Sequence, residues 1–211
     1  MRHFMSASAL FLCCLMSTHI AMAQTIINEW DKLNFPPAPE LKAVHIDAPT
    51  TALLLFDFTR QTCSPERRPR CAASVPKLKA LNDAARAHNM LVLYSIATPD
   101  STPADILPEF APHAGETVLP PLGPDKFINS DLEKMLRDKG IKTIIITGTA
   151  ANTTVLHTGG EAALRGFKVI VPVDAMSSNE AFTEAYTAWH MANAARVSAA
   201  TTLTKVDLIS Y

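Results

Sequence analysis

The sequence predicts an α/β domain, a three-layer α/β/α sandwich built on a mainly parallel central sheet. Three observations carry that prediction. Short, almost wholly apolar runs recur at Thr51 to Phe58, Leu91 to Ala97, Ile144 to Ile146 and Lys168 to Val173, as strands covered on both faces should. Helix-patterned segments separate them. The spacing between successive runs suits right-handed crossovers, which put helices on both faces of a parallel sheet.

Residues 1–23 read as a cleavable secretory signal peptide. Arg2 and His3 open it, Ala9 to Met16 is its apolar core, and Ala21-Met22-Ala23 is a small-residue cleavage site before Gln24. That core is too short to span a bilayer and no later run is long enough, so a soluble periplasmic or secreted protein without membrane contact is expected. Removal of the signal leaves 188 of the 211 residues, enough for one domain with a sizeable core, and the loss of Arg2 leaves 18 basic residues against 20 acidic. No RNA-binding or helix-turn-helix signature is present, and nothing points to nucleic acid.

Residues 24–50 are rich in proline and read as an extended N-terminal arm, with Trp30 and Phe35 as anchors and the domain proper running over 51–211. The strand from Thr51 ends in an acid, Asp57. Val75 to Asn89 carries Leu78, Leu81, Ala84, Ala85 and Ala87 on or beside one face of a helix. After the second strand, Thr98 to Pro124 is proline-rich without a period and is expected to form site walls. Asp131 to Lys139 is a short helix stopped by Gly140, leading into the Thr143 strand. Gly148 turns the chain, Asn152 or Thr153 caps the next helix, and Val155, Leu156, Ala162, Ala163 and Leu164 form its apolar stripe up to Gly166. A fourth strand again precedes an acid, Asp174. Asn179 to Ala195 is a helix with Phe182, Tyr186 and Trp189 on one side, and Thr201 to Leu203 is a last short strand.

Cys63 and Cys71 are the two cysteines of the mature chain, bracketing SPERRPR, and in an exported protein such a pair reads as a disulfide. It leaves no thiol to act as a nucleophile. The Arg67, Arg68 and Arg70 cluster inside this loop follows Asp57 and either faces a cleft, where guanidinium groups suit an anionic substrate, or is a solvated hairpin.

Ligands of open parallel sheets bind outside the carboxyl ends of the strands, where helix amino ends also point. Asp57, at such an end, is a candidate general acid or base, or simply caps the next turn. Thr154, in the first turn after the Thr143 strand, is placed for chemistry or for capping. Lys126, in GPDKFINSDL, is a site cation or a solvated loop lysine. His113 and His157 lie nearest but show no metal-ligand spacing, so no metal and no cofactor is expected.

Asp57, Lys126 before the Ser130-Asp131-Leu132 helix start, and the segment TGTAANTTVLHTGGEAALRGFKVIVPVDA together resemble the isochorismatase-like hydrolase superfamily, also called the cysteine hydrolases, from Thr51 to the C-terminus. The resemblance implies a six-stranded sheet, a common tendency to homo-oligomerise and a small-molecule substrate. It implies an Asp, Lys and Cys site, matched here by Asp57, Lys126 and Thr154. It further implies a cis peptide at Thr149-Ala150, an oxyanion hole from the amides of Ala150 and Thr154, and Thr149, Ala150 and Thr153 as oxyanion and substrate-binding residues.

The sequence departs from the family where the nucleophilic cysteine is replaced by Thr154, where the usual Asp-x-Gln becomes Asp57-Phe58-Thr59 with Gln61 shifted, and where the segment from Lys126 to Asp131 is short. A threonine hydroxyl is a far poorer nucleophile than a thiolate. Isochorismatases proper lack the cysteine and use the aspartate as a general acid on a vinyl ether. Three readings follow: an exported hydrolase of a C–N amide or vinyl ether bond run by Asp57, a non-catalytic small-molecule-binding protein on the same fold, or a structural oligomer with a vestigial pocket.

Overall fold

The computed structural model describes residues 25–211, and the expected signal peptide lies outside them. Residues up to Pro36 and residues from Pro37 onward form separate units. In the first, α1 (Ile26–Glu29) starts at Thr25, whose amide and hydroxyl both donate to Asn28 Oδ1, and Trp30 and Phe35 are exposed.

The second unit is built on a parallel sheet. Its strands are β2 (Thr51–Phe56), β3 (Leu91–Ser95), β4 (Thr117–Leu119), β5 (Thr143–Thr149), β6 (Lys168–Pro172) and β8 (Thr201–Thr204), in the order β4-β3-β2-β5-β6-β8, with β7 (Met176–Ser177) pairing the end of β5. The sheet therefore has seven strands rather than six. A separate two-residue ribbon joins β1 (Val44–His45) to β9 (Ile209–Ser210), which ties part of the expected arm to the C-terminus.

Alternation along the central strands builds the layers. Leu54, Phe56, Ile144 and Ile146 face one side and pack with α3 (Leu132–Asp138), α4 (Leu156–Leu164) and α5 (Ala181–Asn193) through Leu136, Ala162 and Met191. Leu53, Leu55 and Ile145 face the other side and pack against Leu78, Leu81 and Ala85 of α2 (Pro69–Ala87). Every residue of β2 is buried, which explains why its sequence shows no alternation of polarity.

Phe182, Tyr186 and Trp189 share one side of α5, where they are exposed and stack along the helix, whereas Thr187, Ala188 and Met191 are buried. The helix after β5 begins not with an Asn152 or Thr153 cap but with a wide π turn over Ala151–Val155.

The strand order places the site. β2 leads outward to β3 and β4 on one side, and β5 leads to β6 and β8 on the other. The chain thus reverses direction across the sheet between β2 and β5, and the carboxyl ends of those two neighbours flank the crevice where doubly wound folds bind ligands.

Candidate active site

Asp57 follows β2 directly. It adopts a left-handed backbone (φ 66°), a conformation that Asp and Asn tolerate better than most residues, and the surrounding hydrogen bonds hold it there. Its amide donates to the Ser95 carbonyl at 3.2 Å, and its carbonyl accepts from the Thr59 amide at 2.9 Å and from the Thr62 hydroxyl. The turn ends the strand and points the carboxylate inward, where the residue is 5% exposed.

Three donors converge on that carboxylate. The Ser95 hydroxyl donates to Oδ1 at 2.6 Å, and the Thr154 hydroxyl donates to Oδ2 at 2.9 Å. Lys126 Nζ lies 3.1 Å from both oxygens. Lys126 is 1% exposed, so it is not a solvated loop lysine. The fold needs Asp57 there, because a buried ammonium is tolerated only when paired.

Lys126 is placed from the α4 side. Its amide donates to Thr158 Oγ1 at 3.0 Å, Thr158 in turn donates to the Pro124 carbonyl at 3.1 Å, and the Lys126 carbonyl accepts from the Ser130 hydroxyl. Thr158 stands one turn after Thr154, so one helix face sets both the hydroxyl and the cation around Asp57. Next to Lys126, burial pushes the Asp125 carboxyl above its usual range, although its Oδ1 accepts from the Phe127 amide at 2.9 Å.

The Thr149-Ala150 peptide is cis. The turn that follows closes on one acceptor: the Ala150 carbonyl takes the Thr153 amide at 3.2 Å, the Thr153 hydroxyl at 3.1 Å and the Thr154 amide at 3.0 Å. The expected oxyanion pair of Ala150 and Thr154 amides is therefore not present as two open donors, since the first turn of the helix uses the Thr154 amide. Thr153 is half-buried and serves that turn, and Asn152 Oδ1 accepts from the Ser178 hydroxyl at 2.8 Å.

Cys63 and Cys71 are joined, with a Cα–Cα separation of 5.3 Å, and both are buried. The arginines they bracket divide. Arg70 pairs with Glu184 and Arg67 is exposed, but Arg68 turns back to the end of β5, its Nη1 donating to Thr149 Oγ1 at 2.8 Å. Asp174, the other strand-end acid, accepts from the Val206 amide at 2.9 Å and secures the C-terminal segment. Among the described residues no group of three His, Cys, Asp or Glu side chains is arranged to hold a metal ion.

Ser95 and Thr158 are the contacts that sequence reasoning missed. Ser95 ends an apolar strand, and its register beside Phe56 is what puts its hydroxyl against the next residue, Asp57.

Chemically, the cluster is a buried acid with one cationic and two hydroxyl donors. It can exchange a proton with a group held against it, while Lys126 balances charge on the carboxylate or on a reacting oxygen.

Comparison with known proteins places the fold in a family. Residues 51–204 match the family model described as the isochorismatase domain. A secreted isochorismatase effector of Verticillium dahliae is 31% identical over 117 residues, covering 51% of this chain and 62% of that protein. N-carbamoylsarcosine amidase of an Arthrobacter species is 28% identical over 155 residues, covering 61% and 56%. The chain thus spans less than two thirds of the length of either relative. Among solved structures, a cysteine hydrolase from Pseudomonas syringae pv. phaseolicola superposes with a TM-score of 0.68 at 21% identity, over 80% of this chain and 94% of that one. An isochorismatase family protein from Desulfovibrio vulgaris gives 0.67 at 20% identity, over 75% and 95%. The matched model spans most of the chain, from the first strand of the parallel sheet to its last, and the chain belongs to the isochorismatase family.

Proposed function

We propose that this chain is an exported hydrolase of a small molecule that cleaves a C–N amide or a vinyl ether bond with Asp57 as general acid or base and without a cysteine nucleophile. The observation that carries the reading is the convergence of Ser95, Thr154 and Lys126 on one buried carboxylate at the reversal point of the sheet. A merely structural acid at a strand end caps its own turn, whereas Asp57 sends its side chain away from its turn and lets the backbone close it.

In this reading Asp57 transfers the proton, and Lys126 holds the carboxylate in place and offsets negative charge that develops on the substrate. Thr154 orients water or substrate through its hydroxyl rather than attacking. The Ala150 amide, next to the cis bond, is the remaining candidate donor for an oxyanion. Export rests on the N-terminal signal and accords with the relative in Verticillium dahliae that is described as a secreted effector.

One observation favours a second reading, a binding protein on the same fold. Asp57, Lys126 and Thr154 are all nearly inaccessible, at 5%, 1% and 3%, and the position of the family's thiol carries a hydroxyl already bonded to the acid. The test is turnover by the purified mature protein on a panel of small amides, ureas and vinyl ethers, with Asp57→Asn beside it. The hydrolase reading expects turnover that disappears in Asp57→Asn. Saturable ligand binding with no turnover in either protein would favour the second reading.

A further inference from the structure

The Cys63–Cys71 loop carries more than a covalent tie. Of its three arginines, Arg68 alone reaches the carboxyl end of β5, and its half-buried guanidinium makes one hydrogen bond, to the Thr149 hydroxyl at 2.8 Å. Among the described residues no carboxylate lies within ion-pair distance of Arg68, although Arg70, Arg86, Arg137 and Arg165 each have one.

Charge at the carboxyl end of β5 is therefore unbalanced. Asp57 and Lys126 compensate each other, and Arg68 is left over. A guanidinium presents five N–H donors in a planar fork that fits a carboxylate in two parallel bonds, and a single threonine oxygen uses one of them.

Placement supports the same conclusion. Arg68 immediately precedes α2, so the positive end of a 19-residue helix lies at the same point of the chain. Ser177, paired in register with Thr149, points to the same face of the sheet, and its buried hydroxyl has no protein hydrogen-bond partner among the described residues. Cys71 packs in the core beside Leu78 and Phe58, which anchors the loop at one end, and Cys63 anchors it at the other. The bridge thus spares the loop much of the ordering that a flexible arginine loses on binding.

We propose that Arg68, presented by the disulfide-closed loop against Thr149, selects a substrate bearing a carboxylate, which takes the place of Thr149 as acceptor on the guanidinium. This deepens the hydrolase reading and rests on the same site, because it sets the anionic end of the substrate at the Thr149-Ala150 turn and the bond to be cleaved toward Asp57.

The test uses the full mature protein and two matched probe pairs, N-carbamoylglycine and N-acetylglycine, each beside its methyl ester, with binding read by calorimetric titration. The free acids are expected to bind roughly 10- to 100-fold tighter than their esters, the range of one charge-assisted contact. Arg68→Ala should bring acid and ester to within a factor of about three of each other, and Arg68→Lys should recover only part of the preference, since an ammonium lacks the fork.

The Cys63→Ser/Cys71→Ser protein, checked for a native near-ultraviolet dichroism spectrum, should lose at least half of the preference, which a merely structural arginine would not predict. Equal binding of acids and esters by the wild type, no binding of either, or a preference that survives Arg68→Ala would overturn the proposal. The two readings fail separately. Acid preference without turnover removes the hydrolase and leaves the carboxylate site, whereas Asp57-dependent turnover without acid preference removes the carboxylate site and leaves the hydrolase.

Discussion

Replacing Lys126 by Met tests the buried pair without touching the acid. Lys126 Nζ stands 3.1 Å from both Asp57 oxygens, and an effective dielectric of about 20 gives a gross attraction of roughly 5 kcal/mol. Methionine preserves the length and most of the volume of the side chain, so little of the cost comes from packing. Asp57 keeps the Ser95 and Thr154 hydroxyls, which offset part of the loss. We expect Lys126→Met to cost about 3–4 kcal/mol, near the lower end for a broken buried pair. For a domain of this size that lowers Tm by roughly 6–16 °C.

The compensating variant separates charge from shape. Asparagine accepts a left-handed backbone at position 57, so Asp57→Asn/Lys126→Met removes both charges with little strain and should recover to within about 1 kcal/mol of the wild type. Urea unfolding of the wild type, both single variants and the double variant gives the cycle. A Lys126→Met protein as stable as the wild type, or a double variant no more stable than that single one, would refute the pairing argument.

Three further outcomes follow from the packing and the charges. A Cβ on Gly148 would stand 3.2 Å from Val155 Cγ2 and 3.4 Å from the Phe56 carbonyl, so Gly148→Ala should lose about 1–3 kcal/mol in urea unfolding, whereas a Cβ on Gly159 is crowded only by the flexible end of Met191, at 3.1 Å, with Ile146 at ordinary contact distance, so Gly159→Ala should stay within about 1 kcal/mol. Burial pushes the Glu116 carboxyl up, but the Arg86 guanidinium, the His113 amide and the Tyr94 hydroxyl outweigh it and hold the group below its usual range; its stabilisation is present above the ordinary carboxylate value and lost as pH falls through the lowered one, so Glu116→Gln should be less stable at pH 7 and decline less steeply on acidification. Thiol titration of the unfolded, unreduced mature protein should find no free cysteine, and Cys63→Ser/Cys71→Ser should cost roughly 2–3 kcal/mol for a loop this short.

Much of the fold was legible because the strongest signal, a wholly apolar strand, is also what the centre of a parallel sheet requires. β2, β3, β5 and β6 declare themselves in this way. The edges do not. β4 is three residues inside a proline-rich stretch, and β7, β1 and β9 are two residues each, too short to show a period and defined only by their partners. α2 begins at Pro69, well before its apolar stripe, because proline suits a first helical turn and Cys71 is drawn into the core.

At the site, Asp57 and Thr154 were legible as the residues that follow two central strands. Lys126 needed the family resemblance, since nothing local distinguishes a buried loop lysine from a solvated one. Ser95 was hidden as the last residue of a buried strand, and Arg68 was one of three equivalent arginines until the fold turned it toward Thr149. The Thr154 amide was misjudged for a local reason, because hydrogen bonding within the wide turn claims it.

The most direct measurement is kcat for Asp57→Asn and Thr154→Ala side by side, on whichever amide, urea or vinyl ether the wild type turns over. Proton transfer by Asp57 predicts a fall of about 10²–10⁴-fold or more in Asp57→Asn, and loss of a single orienting hydroxyl predicts only about tenfold in Thr154→Ala. Equal and complete loss in both variants would contradict the account, because it would make the threonine hydroxyl the nucleophile.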